Sequence, residues 1–337
     1  MILNIILIVV GVAVVLWGAD RLTDGAVGIA ERMKVPQIVI GLTIVAMGTS
    51  MPEFCVSLVS ALKGTADLAV GNVVGSNIFN TLLIVGCAAA VAPMTILPQT
   101  VRKDIPFSFF ASVALLLMCL DGRVSRLDAA LLFAAFLFFM FVTLKGKPRP
   151  LTPAASPSSL PPAPSQGRGE QSNSAVASPL PSEGLGEASS LWRSAGLIVL
   201  GLACLVVGSN VFVDNATALA SAFGVSEAVI GLTIVAGGTS MPELATSIVA
   251  ARKGNSGIAI GNVLGSNVFN ILLILGGTGF IAPMTIEGIT AVDLSMLIVS
   301  MLLLWLFSYT KLRVERWEGF VLVMVFIGYM TWLIFNA

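Results

Sequence analysis

One stretch of this chain is written twice. Residues 41–86 align with residues 231–276 without a gap, at a constant offset of 190, and about 30 of the 46 positions are identical. The first copy contains GLTIVAMGTSMPE and GNVVGSNIFNTLLIVG; the second contains GLTIVAGGTSMPE and GNVLGSNVFNILLILG. An identical APMTI follows each, at 92–96 and 282–286. Chance does not produce a repeat of this length. An offset of 190 is far longer than the ~20–50 residue period of a solenoid. The chain is therefore expected to fold as two related halves.

Composition places those halves in a membrane. Hydrophobic residues make up 56% of the 337, charged residues only 11%, and the mean hydropathy is +0.97. A soluble domain carries roughly 25% charged residues. The formal net charge is zero, so no basic field points to nucleic acid. Several apolar runs approach or exceed the ~20 residues that span a bilayer as helix. The run from Ile2 to Leu16 has no basic stretch before it and no small-residue cleavage pattern, and reads as a first span rather than a signal peptide.

Ten helices are expected, near 2–20, 36–62, 68–92, 105–120 and 127–144, and near 194–213, 226–251, 257–283, 292–309 and 317–335. Between them, Lys145 to Trp192 holds nine of the sixteen prolines and no hydrophobic periodicity. Such a segment buries too little to fold. The expected organisation is a five-helix repeat over 1–144, a disordered linker over 145–192 and a second five-helix repeat over 193–337. An odd number of spans turns the second half over. The fold class is thus all-α, a polytopic membrane protein of ten transmembrane helices in two inverted five-helix repeats.

Charge gives the orientation. With loops placed alternately on two sides, the side opposite the termini collects fifteen Lys and Arg residues, and the side of the termini only Lys63, Arg123 and Arg126. By the positive-inside rule both termini are outside and the linker is cytoplasmic. The outer loops carry acids instead, Asp67, Asp121, Asp128, Asp214, Glu227, Glu287 and Asp293, read as solvated loop charge.

Within this apolar frame, Glu53 and Glu243 stand out. Each lies inside a span, at the same place in its repeat, and neither repeat offers a buried Lys or Arg. A carboxylate at membrane depth costs roughly 2.5–3.5 kcal/mol on insertion scales, so it marks a functional site by default. The competing reading is a neutral acid that braces helices. Pro52 and Pro242 adjoin the acids, and proline breaks the helical ladder by lacking an N–H. Carbonyls nearby, such as those of Ala46 and Ala236, are expected to turn away where the helix breaks, and broken backbone at membrane depth commonly binds Na⁺.

Helical spacing gathers more oxygen. Thr49, Glu53 and Ser57 share a face, as do Thr239, Glu243 and Ser247. Ser50 and Ser240 flank those stripes. Asn72, Ser76 and Asn80 line the next helix, matched by Asn262, Ser266 and Asn270. Gly71 with Gly75, and Gly261 with Gly265, form GxxxG patterns read as close helix packing. The chain has no histidine and only four scattered cysteines, read as small buried hydrophobes, which argues against zinc or copper. Hard cations take oxygen, and Ca²⁺ takes six to eight such ligands. Two carboxylates balance one Ca²⁺ or two Na⁺, which lets the two ions compete for one site.

At these residues the chain resembles the cation/Ca²⁺ exchanger superfamily, and within it the Na⁺/Ca²⁺ exchangers of prokaryotic type. GTSMPE with GNVxGSNxFN, present twice, is similar to that family's paired repeats. The resemblance implies a secondary antiporter exchanging Na⁺ for Ca²⁺ by alternating access, with Ca²⁺ held near the midplane between the repeats; a separate hypothesis has the first and sixth helices sliding against the central cluster that the repeats form. It implies no enzyme activity, no cofactor beyond the transported Ca²⁺ and Na⁺, and residence in the plasma (prokaryotic inner) membrane as a plausible monomer with no obligatory protein partner. Residue by residue, Glu53 and Glu243 match the central carboxylates, Thr49, Ser50, Thr239 and Ser240 the hydroxyl ligands, and Ala46 and Ala236 the carbonyl ligands. Ser76, Asn80 and Ser266 match further ligands or neighbours. Asn270 departs from those members that carry Asp there, K⁺-dependent ones included, which weakens the case for K⁺ co-transport. The proton-coupled branch has a GNAAEH-like motif that both copies lack. H⁺-coupled and K⁺-dependent exchange on the same fold remain the alternatives. A cation channel fits inverted repeats in one chain poorly, and no hydrolase motif is present.

Overall fold

The computed structural model describes residues 1–145, 191–223, 236–286 and 288–336, and it is mostly helical. Residues 146–190 of the expected linker and 226–235 of the expected seventh span lie outside the described residues, while Lys145 ends one helix and residues 191–192 begin the next. Seven helices among the described residues are long and apolar enough to cross a membrane. They are α1 (Ile2–Met33), α4 (Ala66–Val91), α5 (Thr100–Asp121), α6 (Arg126–Lys145), α7 (Leu191–Ala222), α10 (Ser256–Ile281) and α11 (Ala291–Lys311). A bent pair, α2 (Gln37–Thr49) and α3 (Met51–Leu62), meets at 48° and makes an eighth if it is one span. The second half carries the short turn α8 (Ala236–Thr239) and α9 (Met241–Arg252), and the chain closes on α12 (Arg316–Asn336).

The bend falls at Ser50, and the second half breaks in the same way at Ser240. Both serines leave helical geometry, at φ −81°, ψ 6° and φ −89°, ψ 7°. Pro52 and Pro242 each sit in the first turn that follows, where the missing N–H costs nothing. The proline therefore starts a new helix rather than kinking an old one, and places its glutamate in that helix's first turn.

Two helices run longer than hydropathy suggests. The apolar run ends near Asp20, yet α1 continues to Met33; α7 continues to Ala222. Charge ends the apolar span but not the helix, because Arg, Glu and Ala are good helix formers. The extra turns pair α1 with α7 along a seam of small residues. A Cβ on Gly11 would come within 2.9 Å of Gly208 O, one on Gly18 within 2.9 Å of Gly201 O, and one on Gly25 within 2.6 Å of Ser194 O. The positions recur every seven residues in both helices, so the backbones touch along an antiparallel seam. Gly261 and Gly265 bring α10 against α2 in the same way, with a Cβ at 2.7 Å from Ile38 O and at 2.5 Å from the Ala46 Cβ. The GxxxG of the second copy is thus a packing device. The counterpart segment for Gly71 and Gly75 lies outside the described residues.

Two antiparallel bridges tie the loops, a small departure from an all-helical chain. β1 (Met94–Thr95) pairs with β4 (Arg313–Val314), and β2 (Arg123–Val124) with β3 (Met284–Thr285). Each bridge joins one half to the other, and each joins loops that the charge count puts on the same side. Asp293 is not solvated loop charge: it is 7% exposed, closes a capping box with Thr290 and accepts the Tyr329 hydroxyl at 2.7 Å. Cys55 likewise differs from expectation, being exposed. A cavity of about 840 Å³ opens between Ala30–Ile38, Thr95–Thr100 and Gly254–Ile260 and contains none of the predicted ligands.

Candidate ion-binding site

The two helix breaks face one another at the centre of the fold. Ser50 donates its hydroxyl to Glu243 Oε1 at 3.0 Å, and Ser240 donates to Glu53 Oε1 at 3.0 Å. Each repeat thus holds the other's carboxylate, through equivalent atoms. Ser266 adds a contact to Glu243 Oε1 at 3.4 Å, and Ser240 lies 3.3 Å from the Ser76 hydroxyl. Glu53 and Glu243 are each 1% exposed. Among the described residues neither forms an ion pair.

Four acceptors are left over. Glu53 Oε2, Glu243 Oε2, Asn80 Oδ1 and Asn270 Oδ1 are buried without a hydrogen-bond partner, and they are the only carboxylate or amide oxygens in that state among the described residues. They are two pairs related by the 190-residue offset. A buried acceptor without a donor is costly, and an unpaired buried carboxylate more so. A bound cation is one means of satisfying oxygens of this kind. All the donors are oxygen, the ligand set of Na⁺ and Ca²⁺ rather than of softer metals.

Not every predicted oxygen points inward. Ser57 and Ser247 are occupied by neighbours: the Asn72 and Asn262 amides donate to them at 2.9 and 3.0 Å. The same amides reach the backbone carbonyls of Glu53 and Glu243 at 3.2 and 3.3 Å. These four residues brace the glutamate-bearing helices. Thr49 donates to Asn262 Oδ1 at 3.0 Å. The Ala46 carbonyl has not turned out of its helix: it accepts the Ser50 amide at 3.0 Å and lies 3.3 Å from the Thr49 hydroxyl. The single Thr49 proton cannot serve both Asn262 Oδ1 and the Ala46 carbonyl, so the Ser50 amide is the bond that holds Ala46 in the helix. Ala236 opens α8, and Thr239 ends it.

Asn80 and Asn270 sit where α4 and α10 widen into π-turns, over Phe79–Ile84 and Phe269–Leu275. Widened turns of this kind concentrate at functional sites. Sequence reasoning missed two further residues, Asn77 and Asn267. They are 0% and 1% exposed, and they take the Asn270 and Asn80 side-chain amides at 3.0 and 3.1 Å. The signal was present, since GSN is duplicated at 75–77 and 265–267.

Residues 3–145 and 193–335 match the profile of the sodium/calcium exchanger protein family. The chain belongs to that family. The profile covers nearly all of both halves and leaves out the stretch between them. Among its relatives, the inner membrane protein YrbG of Escherichia coli is 37% identical over 90% of each chain. The sodium/calcium exchanger MaX1 of Methanosarcina acetivorans is 32% identical over 98% of this chain and 99% of its own. The sodium-calcium exchanger NCX_Mj, solved after soaking with 2.5 mM Na⁺ and 0.1 mM Ca²⁺, superposes with a TM-score of 0.79 at 28% identity, over 98% of both chains. This exchanger-family chain is an integral membrane transport protein, and its family is one of transporters rather than enzymes.

Proposed function

We propose that this chain is a secondary antiporter that exchanges Na⁺ for Ca²⁺ across the prokaryotic inner membrane by alternating access. The observation that carries the reading is the set of four buried, partnerless oxygens drawn equally from the two repeats. Two carboxylates there balance one Ca²⁺ or two Na⁺. The loaded site is close to neutral and can cross a dry barrier; the empty site leaves two bare negative charges, which are expensive to move through a low dielectric. That difference couples one ion to the other and suppresses leak.

Glu53, Glu243, Asn80 and Asn270 form the centre of the proposed ligand set. Ser50, Ser240, Ser76, Ser266, Thr49 and Thr239 supply hydroxyls around it, and Ala46 and Ala236 supply carbonyls once the adjoining helix turns relax. Ten spans as two inverted repeats, with outer termini and a cytoplasmic linker over 145–192, place both carboxylates near mid-membrane. All the proposed ligands come from one chain, so a monomer suffices.

The test is ⁴⁵Ca²⁺ uptake into proteoliposomes under an imposed Na⁺ gradient at fixed pH and without K⁺. Uphill Ca²⁺ accumulation is the expected result. Uptake that follows a pH gradient and ignores Na⁺ overturns the Na⁺ coupling in favour of H⁺, and uptake that requires K⁺ favours the K⁺-dependent mode.

A further inference from the structure

An asparagine can present either oxygen or nitrogen to a site, and only the oxygen binds a cation. Two short hydrogen-bond chains remove that choice here. The Thr81 hydroxyl donates to the Asn77 backbone carbonyl at 2.9 Å. A hydroxyl has one proton, so the Thr81 oxygen is then left as an acceptor. Asn267 must meet it with its NH₂ group, and does so at 2.8 Å. Asn267 Oδ1 therefore faces the other way and accepts the Asn80 NH₂ at 3.1 Å. Asn80 has only its Oδ1 left to point outward, and that atom is one of the four partnerless oxygens.

The second chain reaches the same end by a different route. Residue 271 is Ile271, so the second repeat has no counterpart of Thr81. Instead Asn77 donates its NH₂ to the Asn267 backbone carbonyl at 3.3 Å and receives the Asn270 NH₂ on its Oδ1 at 3.0 Å. A backbone carbonyl only accepts, so this chain is directional too, and it leaves Asn270 Oδ1 outward. We infer that Asn77, Asn267 and Thr81 are positioning residues: each chain starts on a main-chain carbonyl and forces a ligand asparagine to offer oxygen, never N–H, to the transported cation. The inference rests on the assignment of Asn80 and Asn270 as ligands under the proposed function.

Equilibrium ⁴⁵Ca²⁺ binding to the purified full-length chain tests it. Thr81→Val keeps the shape and removes the acceptor, which frees Asn267 and then Asn80 to flip; Ca²⁺ affinity is expected to fall roughly tenfold, the scale of one lost contact to a charge. Thr81→Ser restores the hydroxyl and should restore affinity, a rescue that a purely packing role for the methyl group would not show. Asn77→Ala interrupts the second chain, folds or fails independently of Thr81→Val, and should cost a similar factor. Asn80→Leu separates the two ideas. If it leaves Ca²⁺ affinity intact, the ligand assignment itself falls. If Asn80→Leu weakens binding while Thr81→Val and Asn77→Ala bind as tightly as the unmodified chain, the ligands stand and the orienting chains are refuted.

Discussion

Lys253 lies 2.6 Å from Asp20 and 2.7 Å from Asp24. Its counterpart Lys63, at the same Lys-Gly helix end 190 residues earlier, pairs with no acid among the described residues. The difference extends beyond one ion pair. Helix α1 packs along α9, whereas α7 and α3 make at most marginal contact. Ala245 is accordingly 6% exposed, while Met51 and Val59 on the uncovered face of α3 are 46% and 48% exposed. The two halves are alike in sequence but sit in different surroundings, an asymmetry that the proposed alternating access would call for.

Under the proposed inversion of the repeats, the 190-residue offset gives the contacts of the opposite state. The repeat-mate of Asp24 is Asp214, since 24 + 190 = 214. When α7 closes over α3, Lys63 should pair with Asp214, Lys253 should release Asp20 and Asp24, and Cys55 should take on the buried setting that Ala245 has now. Cys55 is exposed at present, which makes it a native reporter. Lys253→Gln should favour the opposite state and slow maleimide labelling of Cys55 in detergent, by about two- to fivefold. That is the scale of a partly exposed ion pair worth up to ~1 kcal/mol. Unchanged or faster labelling would argue against the exchange of partners.

Ser50 donates to Glu243, although it stands three residues from Glu53. Removing its hydroxyl should therefore matter less once Glu243 is altered. Ser50→Ala and Glu243→Asp, each read as a shift in the Ca²⁺ dissociation constant, are expected to be non-additive by 0.5 kcal/mol or more, as contacting groups generally are. Ser50→Ala with Asn80→Ala, which share no hydrogen bond, should come closer to additive. Glu53→Gln or Glu243→Gln should abolish Na⁺-driven ⁴⁵Ca²⁺ uptake, because one charge can no longer balance Ca²⁺.

The α1–α7 seam leaves no room for a methyl group. A Cβ on Gly201 would lie 2.6 Å from the Leu22 amide nitrogen and 2.7 Å from Gly18 O, and backbone atoms cannot step aside as a side-chain tip can. Gly201→Ala should destabilise the protein by about 1–3 kcal/mol, the usual cost of overpacking, seen as a lower melting temperature in detergent. Gly277→Ala meets nothing within 4 Å among the described residues and should leave the melting temperature nearly unchanged.

How much of this was legible beforehand depends on the kind of signal. The duplicated acids, their serines and the two-half plan follow from repetition and membrane cost, which act on residue identity alone. The fate of each oxygen does not. Asn72, Ser76 and Asn80 are four apart and look equivalent on an ideal helix, yet Asn72 braces Ser57, Ser76 touches Ser240, and Asn80 turns to the other repeat. Asn80 falls within the π-turn over Phe79–Ile84, and no propensity rule announces a π-turn. Asn77 and Asn267 escaped notice for a related reason: their partners are 187–193 residues away, set by how the repeats interlock rather than by local spacing. The ends of α1 and α7 were misjudged because hydropathy reports where lipid ends, and a helix can continue into water.

Asn270 bears on charge balance. Its oxygen lies among the four partnerless acceptors, so Asn270→Asp would place a third carboxylate against the same cation. Ca²⁺ should bind more tightly, since a further negative charge at short range is added. Transport should nonetheless slow, because the Ca²⁺-loaded site would then carry a net negative charge into the barrier instead of being near neutral. Neutrality is restored when another monovalent cation enters with Ca²⁺. The expected outcome is a variant with higher Ca²⁺ affinity whose ⁴⁵Ca²⁺ flux, measured in proteoliposomes at saturating Ca²⁺, is low in buffer without K⁺ at alkaline pH and rises when K⁺ is supplied or the pH is lowered. A variant that transports as fast as the unmodified chain under both conditions would show that buried charge does not set the barrier.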